Sequence, residues 1–234
     1  RAERVDGGWS VTGTKVWTSG AHHAHAFIVL ARTAAVDPEH RHAGLSQFIV
    51  DLRCPGVEVR PIVSMNGAHH FNEVILDGAF VPDAMVFGEL GQGWRQVTSE
   101  LAFERSGPER FLSTFMLLAT SAEAMSAQGL ARDAGIGRLL ARIAGLHQMS
   151  SAVAGALERH DSADVAAAVV KVLGTTTEAD IADFADLLGE AEHESDGRFQ
   201  GLVAAAVDQR PGFTLRGGTN EVMRGVIARG LGMR

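Results

Sequence analysis

Glu104 stands out among the residues that could do chemistry. Trp94, Val97, Leu101 and Glu104 are spaced three, four and three residues apart, which places the carboxylate on an apolar helical stripe. A carboxylate facing a core is costly unless paired, and one poised in an apolar cleft can serve as a general base. The competing reading is structural: Glu104 pairs with Arg105 or caps another helix. The second feature is Leu215-Arg216-Gly217-Gly218-Thr219-Asn220-Glu221. Its glycine pair permits close backbone approach, Thr219 can cap a helix, and a helix N-terminus favours an anion such as a cofactor diphosphate. The third is Lys15-Val16-Trp17-Thr18-Ser19-Gly20, where a strand ends in an indole beside two hydroxyls. Such a pairing can flank a flat heterocycle and bond its polar edge. An ordinary loop and a strand-end tryptophan in the core are the plain alternatives for these two.

Histidines form two further groups, His22, His23 and His25 in AHHAH and the pair His69-His70. No nearby carboxylate or thiol completes a ligand set in the first, so surface turns are expected and no metal.

The elements that must position these residues fall into two parts. From Trp9 to about Phe87 come short β-branched segments: WSVTGTKVW, FIVLART, SQFIVDL, VEVRPIV and NEVILDGAFVP. The alternation in VEVRPIV and NEVIL predicts half-buried strands, and Asp77-Gly78 reads as a turn. After GELGQG the period becomes helical. One helix is expected from Trp94 to about Leu130, a stretch with no proline except Pro108, and another from Gly137 to about Glu158. Others run from the caps Asp161 and Ser162 to about Ala191, through LVAAAV up to Pro211-Gly212, and from about Asn220 onward. The expected fold is α+β, an antiparallel β domain over residues 1–90 followed by an all-α bundle over 91–234.

Composition narrows the function classes. The 234 residues carry 28 acidic and 21 basic side chains, a formal charge of −7, with no long basic run, so nucleic acid is not an expected partner. The lone Cys54 excludes an internal disulfide and fits a reducing, cytoplasmic setting. No apolar stretch reaches the roughly 20 residues of a membrane span. The opening RAERVDGGWS reads as mid-protein, without a signal peptide.

Taken in order, Trp17-Thr18-Ser19-Gly20, FNEVILDGAFVPDAMVFGELGQGW, the Leu-x-x-Glu-Arg helix at Glu104 and the terminal GGTNEVMRGVIARGLG resemble the acyl-CoA dehydrogenase family. The resemblance covers its middle β domain and C-terminal helical domain. It implies FAD as cofactor, an acyl-CoA substrate desaturated between its α and β carbons, and an electron-transfer flavoprotein as acceptor. It also implies a homo- or hetero-oligomer, a dimer or tetramer. By resemblance, Trp17, Thr18 and Ser19 flank the flavin ring, and Thr219, Asn220 and Glu221 lie at its diphosphate. Ala102, Phe103 and Arg105 touch substrate beside Gly217 and Gly218. Most of the family carries the base directly before the Gly-Thr of the terminal motif, where this chain has Gly217. A minority uses a glutamate matching Glu104, which makes Glu104 the expected base; a Glu104 locked in an ion pair would point to a non-catalytic subunit of a heteromer. A flavin-dependent oxidase or oxygenase of the same fold is the remaining alternative. Three family features are missing: the N-terminal helical domain with its Thr-Glu-Pro-x-x-Gly-Ser-Asp loop, the Arg-x-x-Phe-Gly pattern near Arg132, and a Gly-Gly-x-Gly stretch between Gly189 and Arg198. The chain is thus expected to be a fragment, or to rely on a partner.

Overall fold

The computed structural model describes residues 1–127, 129–130, 133–191 and 197–233; Arg132 and, within the stretch 189–198, residues 192–196 lie outside them. The chain divides into two compact units, Arg1–Ser99 and Glu100–Arg234.

The first unit is antiparallel throughout its strand pairs. One sheet has the order β1-β2-β6-β5, with β1 Ala2–Val5, β2 Gly8–Ser19, β5 Val57–Val63 and β6 His69–Pro82. The other has the order β3-β4-β7, with β3 Ala26–Arg32, β4 Leu45–Asp51 and β7 Val86–Phe87. Alternating side chains of β2, β4 and β6 (Val11, Phe48, Val50, Val74 and Leu76 among them) form its core. The expected turn at Asp77-Gly78 is instead an irregularity inside β6. There Val11 pairs Ala79 and Gly13 pairs Leu76, while Gly78 takes φ +64° and lets the long strand continue.

Among the described residues six helices follow the sheets: α1 Gly93–Ser106, α2 Phe115–Ala127, α3 Ala134–Glu158, α4 Asp164–Ala191, α5 Gly197–Phe213 and α6 Asn220–Gly230. The boundary between the units falls within α1. The helical stretch expected from Trp94 to about Leu130 is broken: Pro108 starts a 3-10 turn, Pro108–Arg110, between α1 and α2. Pro211-Gly212, expected to end a helix, lies inside the last turn of α5. Helix α4 is the hub: Ala167, Val170, Ile181, Ala182 and Ala185 are buried in a core shared with α2, α3 and α5. Small residues on α4 let its neighbours approach closely. No described helix is long and apolar enough to cross a membrane.

Candidate functional site

In the first unit, β2 departs from its ladder where the sequence placed Trp17. Lys15 pairs Val74 and Thr18 pairs Asn72, so β2 holds one residue more than β6 between these pairs. Trp17 absorbs the extra residue with φ 60°, a left-handed conformation that is unusual for a bulky side chain. Such strain marks a position held by its surroundings. The bulge turns the indole outward, 63% exposed, with its edge on Phe71 at 5.6 Å. Thr18 is half-buried and Ser19 exposed beside it. A flat, open aromatic face next to a free hydroxyl can flank a planar heterocycle.

The two histidine groups, far apart in sequence, meet here. His22 lies 3.8 Å from His23 and is stacked on His69 at 4.0 Å. Among the described residues no three of His, Cys, Asp or Glu are placed to hold a metal ion.

In the second unit, Glu104 is not on a core-facing stripe. The last turns of α1 bury Ala102 and Ser106, four residues apart, whereas Leu101 is half-buried and Phe103 and Glu104 are exposed. Ala102, expected against substrate, is therefore a core residue. The small pair Ala102 and Ser106 takes the interior because it allows close approach: the Ser150 hydroxyl donates to the Ser106 carbonyl at 2.6 Å. Phe103 is 62% exposed. Glu104 is ion-paired, with Arg110 rather than the expected Arg105. Arg110 Nη2 donates to Glu104 Oε1 at 2.6 Å and Arg110 Nε to the Glu104 carbonyl at 3.0 Å. The arginine side chain is 8% exposed, the glutamate 46%. Oε2 of Glu104 has no described partner.

Gly217 approaches the Arg110 guanidinium and Gly218 lies near Met223 and Arg105. Both glycines take positive φ, +68° and +87°, and a Cβ on Gly217 would stand 3.4 Å from the Arg110 guanidinium. Arg105 Nε donates to the Gly217 carbonyl at 3.3 Å. Arg110 and Arg105 thus link a half-open carboxylate, fixed through one oxygen, to the glycine pair.

Helix α4 holds the glycine loop from beneath with charges the sequence reading missed. Lys171, fully buried, donates to the Thr214 carbonyl at 2.9 Å and to Asn220 Oδ1 at 2.7 Å. Desolvation, aided by the charge of Arg110, lowers its pKa to about 8. Glu178, also fully buried, accepts from the Ser113 amide at 2.9 Å and from Arg216 at 2.6 Å. Lys171, Thr175 and Glu178 are spaced four and three residues apart on one helix face. A lone lysine within VAAAVVKVL and a glutamate at that spacing were the available signal.

This network corrects the reading of Asn220. Its side chain is buried and spent on Lys171 and Thr175, and its amide donates to the Thr214 carbonyl at 3.1 Å. Thr219 caps α6, accepting from the Val222 amide at 3.3 Å. Glu221 is exposed in the first turn, where its own backbone amide and the Thr219 hydroxyl hold its carboxyl below the usual range. That helix N-terminus is therefore already served by protein groups.

Residues 1–79 match the model of the acyl-CoA dehydrogenase middle domain and residues 91–232 that of the C-terminal domain. The chain is 50% identical over 105 residues to acyl-CoA dehydrogenase FadE34 of Mycobacterium tuberculosis (strain ATCC 25618 / H37Rv), covering 45% of this chain and 14% of that protein. It is 33% identical to acyl-CoA dehydrogenase FadE29 of the same strain, covering 93% of this chain and 59% of that protein. The solved Tcur3481-Tcur3483 steroid ACAD superposes with a TM-score of 0.82 at 26% identity, covering all of this chain and 63% of that one. The chain thus spans no more than about three-fifths of these curated relatives. With both of its units matched in order, the chain belongs to the acyl-CoA dehydrogenase family.

Proposed function

We propose that this chain is the ring-flanking and base-bearing part of a FAD-dependent acyl-CoA dehydrogenase, which desaturates an acyl-CoA thioester between its α and β carbons. The observation that supports it best is the half-open Glu104 carboxylate, with Oε1 pinned 2.6 Å from a buried guanidinium and Oε2 without a described partner. In this reading Oε2 takes the α proton, while Arg110 fixes the carboxylate's rotamer and position. Gly217, at the commoner base position of the family, has no side chain to compete.

FAD, when bound, supplies the acceptor for the β hydride. The exposed Trp17 indole and the Ser19 hydroxyl fit the flat ring of such a group. Thr219, Asn220 and Glu221 do not fit its diphosphate as they stand, because the Asn220 side chain is held by Lys171 and Thr175, Thr219 caps α6, and Glu221 brings a negative charge. The electron acceptor in this reading is an electron-transfer flavoprotein. The likeness to a steroid ACAD puts a bulky acyl group first among the substrates to try.

The test is turnover of a panel of short, branched and steroid side-chain acyl-CoAs by the complete, flavin-loaded protein and by its Glu104→Gln variant. Loss of about a hundredfold or more with flavin retained is expected; turnover near the parent's refutes Glu104 as base. The ion pair favours a second reading. Protonating Glu104 breaks its charge pair with Arg110, which opposes a base role and suits a subunit that completes a heteromer without chemistry of its own. In that case turnover needs a partner chain and is indifferent to Glu104→Gln.

A further inference from the structure

We propose that Asn72 and His22 form a positioning pair that sets Trp17, Thr18 and Ser19 for the ring they flank, and that acid releases it. This rests on the flavin reading above, although the geometry lies wholly within the first unit. Asn72 on β6 is fully buried and sits opposite Thr18 across the bulge. Its Nδ2 donates to the Thr18 carbonyl at 3.1 Å and to His22 Nδ1 at 3.0 Å, and its Oδ1 lies 2.9 Å from His69 Nε2.

Chemistry settles the roles in this network. A carbonyl only accepts, so the nitrogen of the Asn72 amide must face Thr18. The second Nδ2 hydrogen then points at His22, whose Nδ1 must be the bare, accepting nitrogen. His69 donates from Nε2. All three polar positions of one buried amide are used, and the bulge that carries Trp17 is tied at its carbonyl to the histidine cluster.

Protonation of His22 at Nδ1 turns the acceptor into a donor facing a donor. The ring must then leave or the amide must flip, and a flipped amide would set Oδ1 against the Thr18 carbonyl. Either outcome loosens the bulge. The titratable groups facing His22 are His23 from its own turn and His69 and His70 from β6. All are bases, and none of these rings is bonded to a described carboxylate. Desolvation, followed by the charges of His23 and His69, lowers the His22 pKa, so the neutral form the clamp requires is the one held at neutral pH.

The test uses the complete, flavin-loaded protein labelled with 5-fluorotryptophan, with the Trp17 resonance assigned by Trp17→Phe. The resonance and the FAD affinity are followed from about pH 8 to about pH 5 in the parent, His22→Gln and Asn72→Leu. The Trp17 signal should titrate in the parent and stay flat in His22→Gln. FAD affinity should weaken about tenfold on acidification in the parent alone, and about tenfold throughout in Asn72→Leu. Since Asn72 is buried, the surface variant His22→Gln decides the matter if Asn72→Leu does not fold. A Trp17 signal that is flat in the parent, or titrates equally in His22→Gln, overturns the proposal. So does a FAD affinity with the same pH dependence in both. If the Trp17 signal follows His22 while FAD binds at no pH, the flavin reading fails and the clamp on the bulge stands.

Discussion

Gly174 offers a test of how α4 and the Arg110 turn are fitted together. It lies buried in a 28-residue helix, where replacing glycine by alanine ordinarily gains about 1 kcal/mol. Here the new Cβ would stand 2.5 Å from the Arg110 carbonyl oxygen and 3.1 Å from Phe111 Cβ, about 1 Å short of comfortable contact with the first. Both neighbours are held: the oxygen belongs to the backbone of the 3-10 turn, and Phe111 is fully buried. Overpacking of this kind costs about 1–3 kcal/mol, and rigid neighbours put it at the upper end. Gly174→Ala should therefore lower stability by about 2 kcal/mol and shift the turn that carries Arg110, reducing turnover with it. Gly145→Ala is the control. It lies exposed in α3 with nothing within 4 Å of its Cβ position, so it should gain about 1 kcal/mol. Urea midpoints read the difference directly. If Gly174→Ala unfolds at a higher urea concentration than the parent, as Gly145→Ala should, the close fit between α4 and the turn is wrong.

Other outcomes follow from the charges beneath the glycine loop. Lys171 has a pKa of about 8 folded and 10.5 as its ordinary value, so between these the unfolded chain binds more protons. Stability should accordingly rise with pH across that window and lose this rise in Lys171→Met, as thermal melts at several pH values would show. Arg216→Met leaves the fully buried Glu178 without its counter-charge and should cost about 3–5 kcal/mol in chemical denaturation. Adding Glu178→Leu should recover much of that loss, and a double variant no better than Arg216→Met would contradict the pairing.

Much of the architecture was legible in the sequence because periodicity is a local property. The alternation in VEVRPIV and NEVIL and the three-to-four spacing after Trp94 follow from which face each element buries. Asp77-Gly78 and Pro211-Gly212 misled because a turn-forming pair can also sit in a bulge or in the final turn of a helix, and neighbouring strands and helices decide which. Glu104 misled differently. A wheel gives the spacing of residues but not which face meets the core, and the small residues Ala102 and Ser106 won that contact. Lys171 and Glu178 stayed hidden because their worth lies in partners dozens of residues away, and Arg110 because it meets Glu104 only through the turn at Pro108. The meeting of His22 with His69 likewise depends on the pairing of Thr18 with Asn72, which no local pattern reveals.

The most direct measure of the central claim is exchange of the thioester's α hydrogen with solvent deuterium, followed by mass spectrometry on the complete, flavin-loaded protein without an electron acceptor. The account predicts exchange in the parent and its loss by about a hundredfold or more in Glu104→Gln. Equal exchange in both would show that some other group takes the proton.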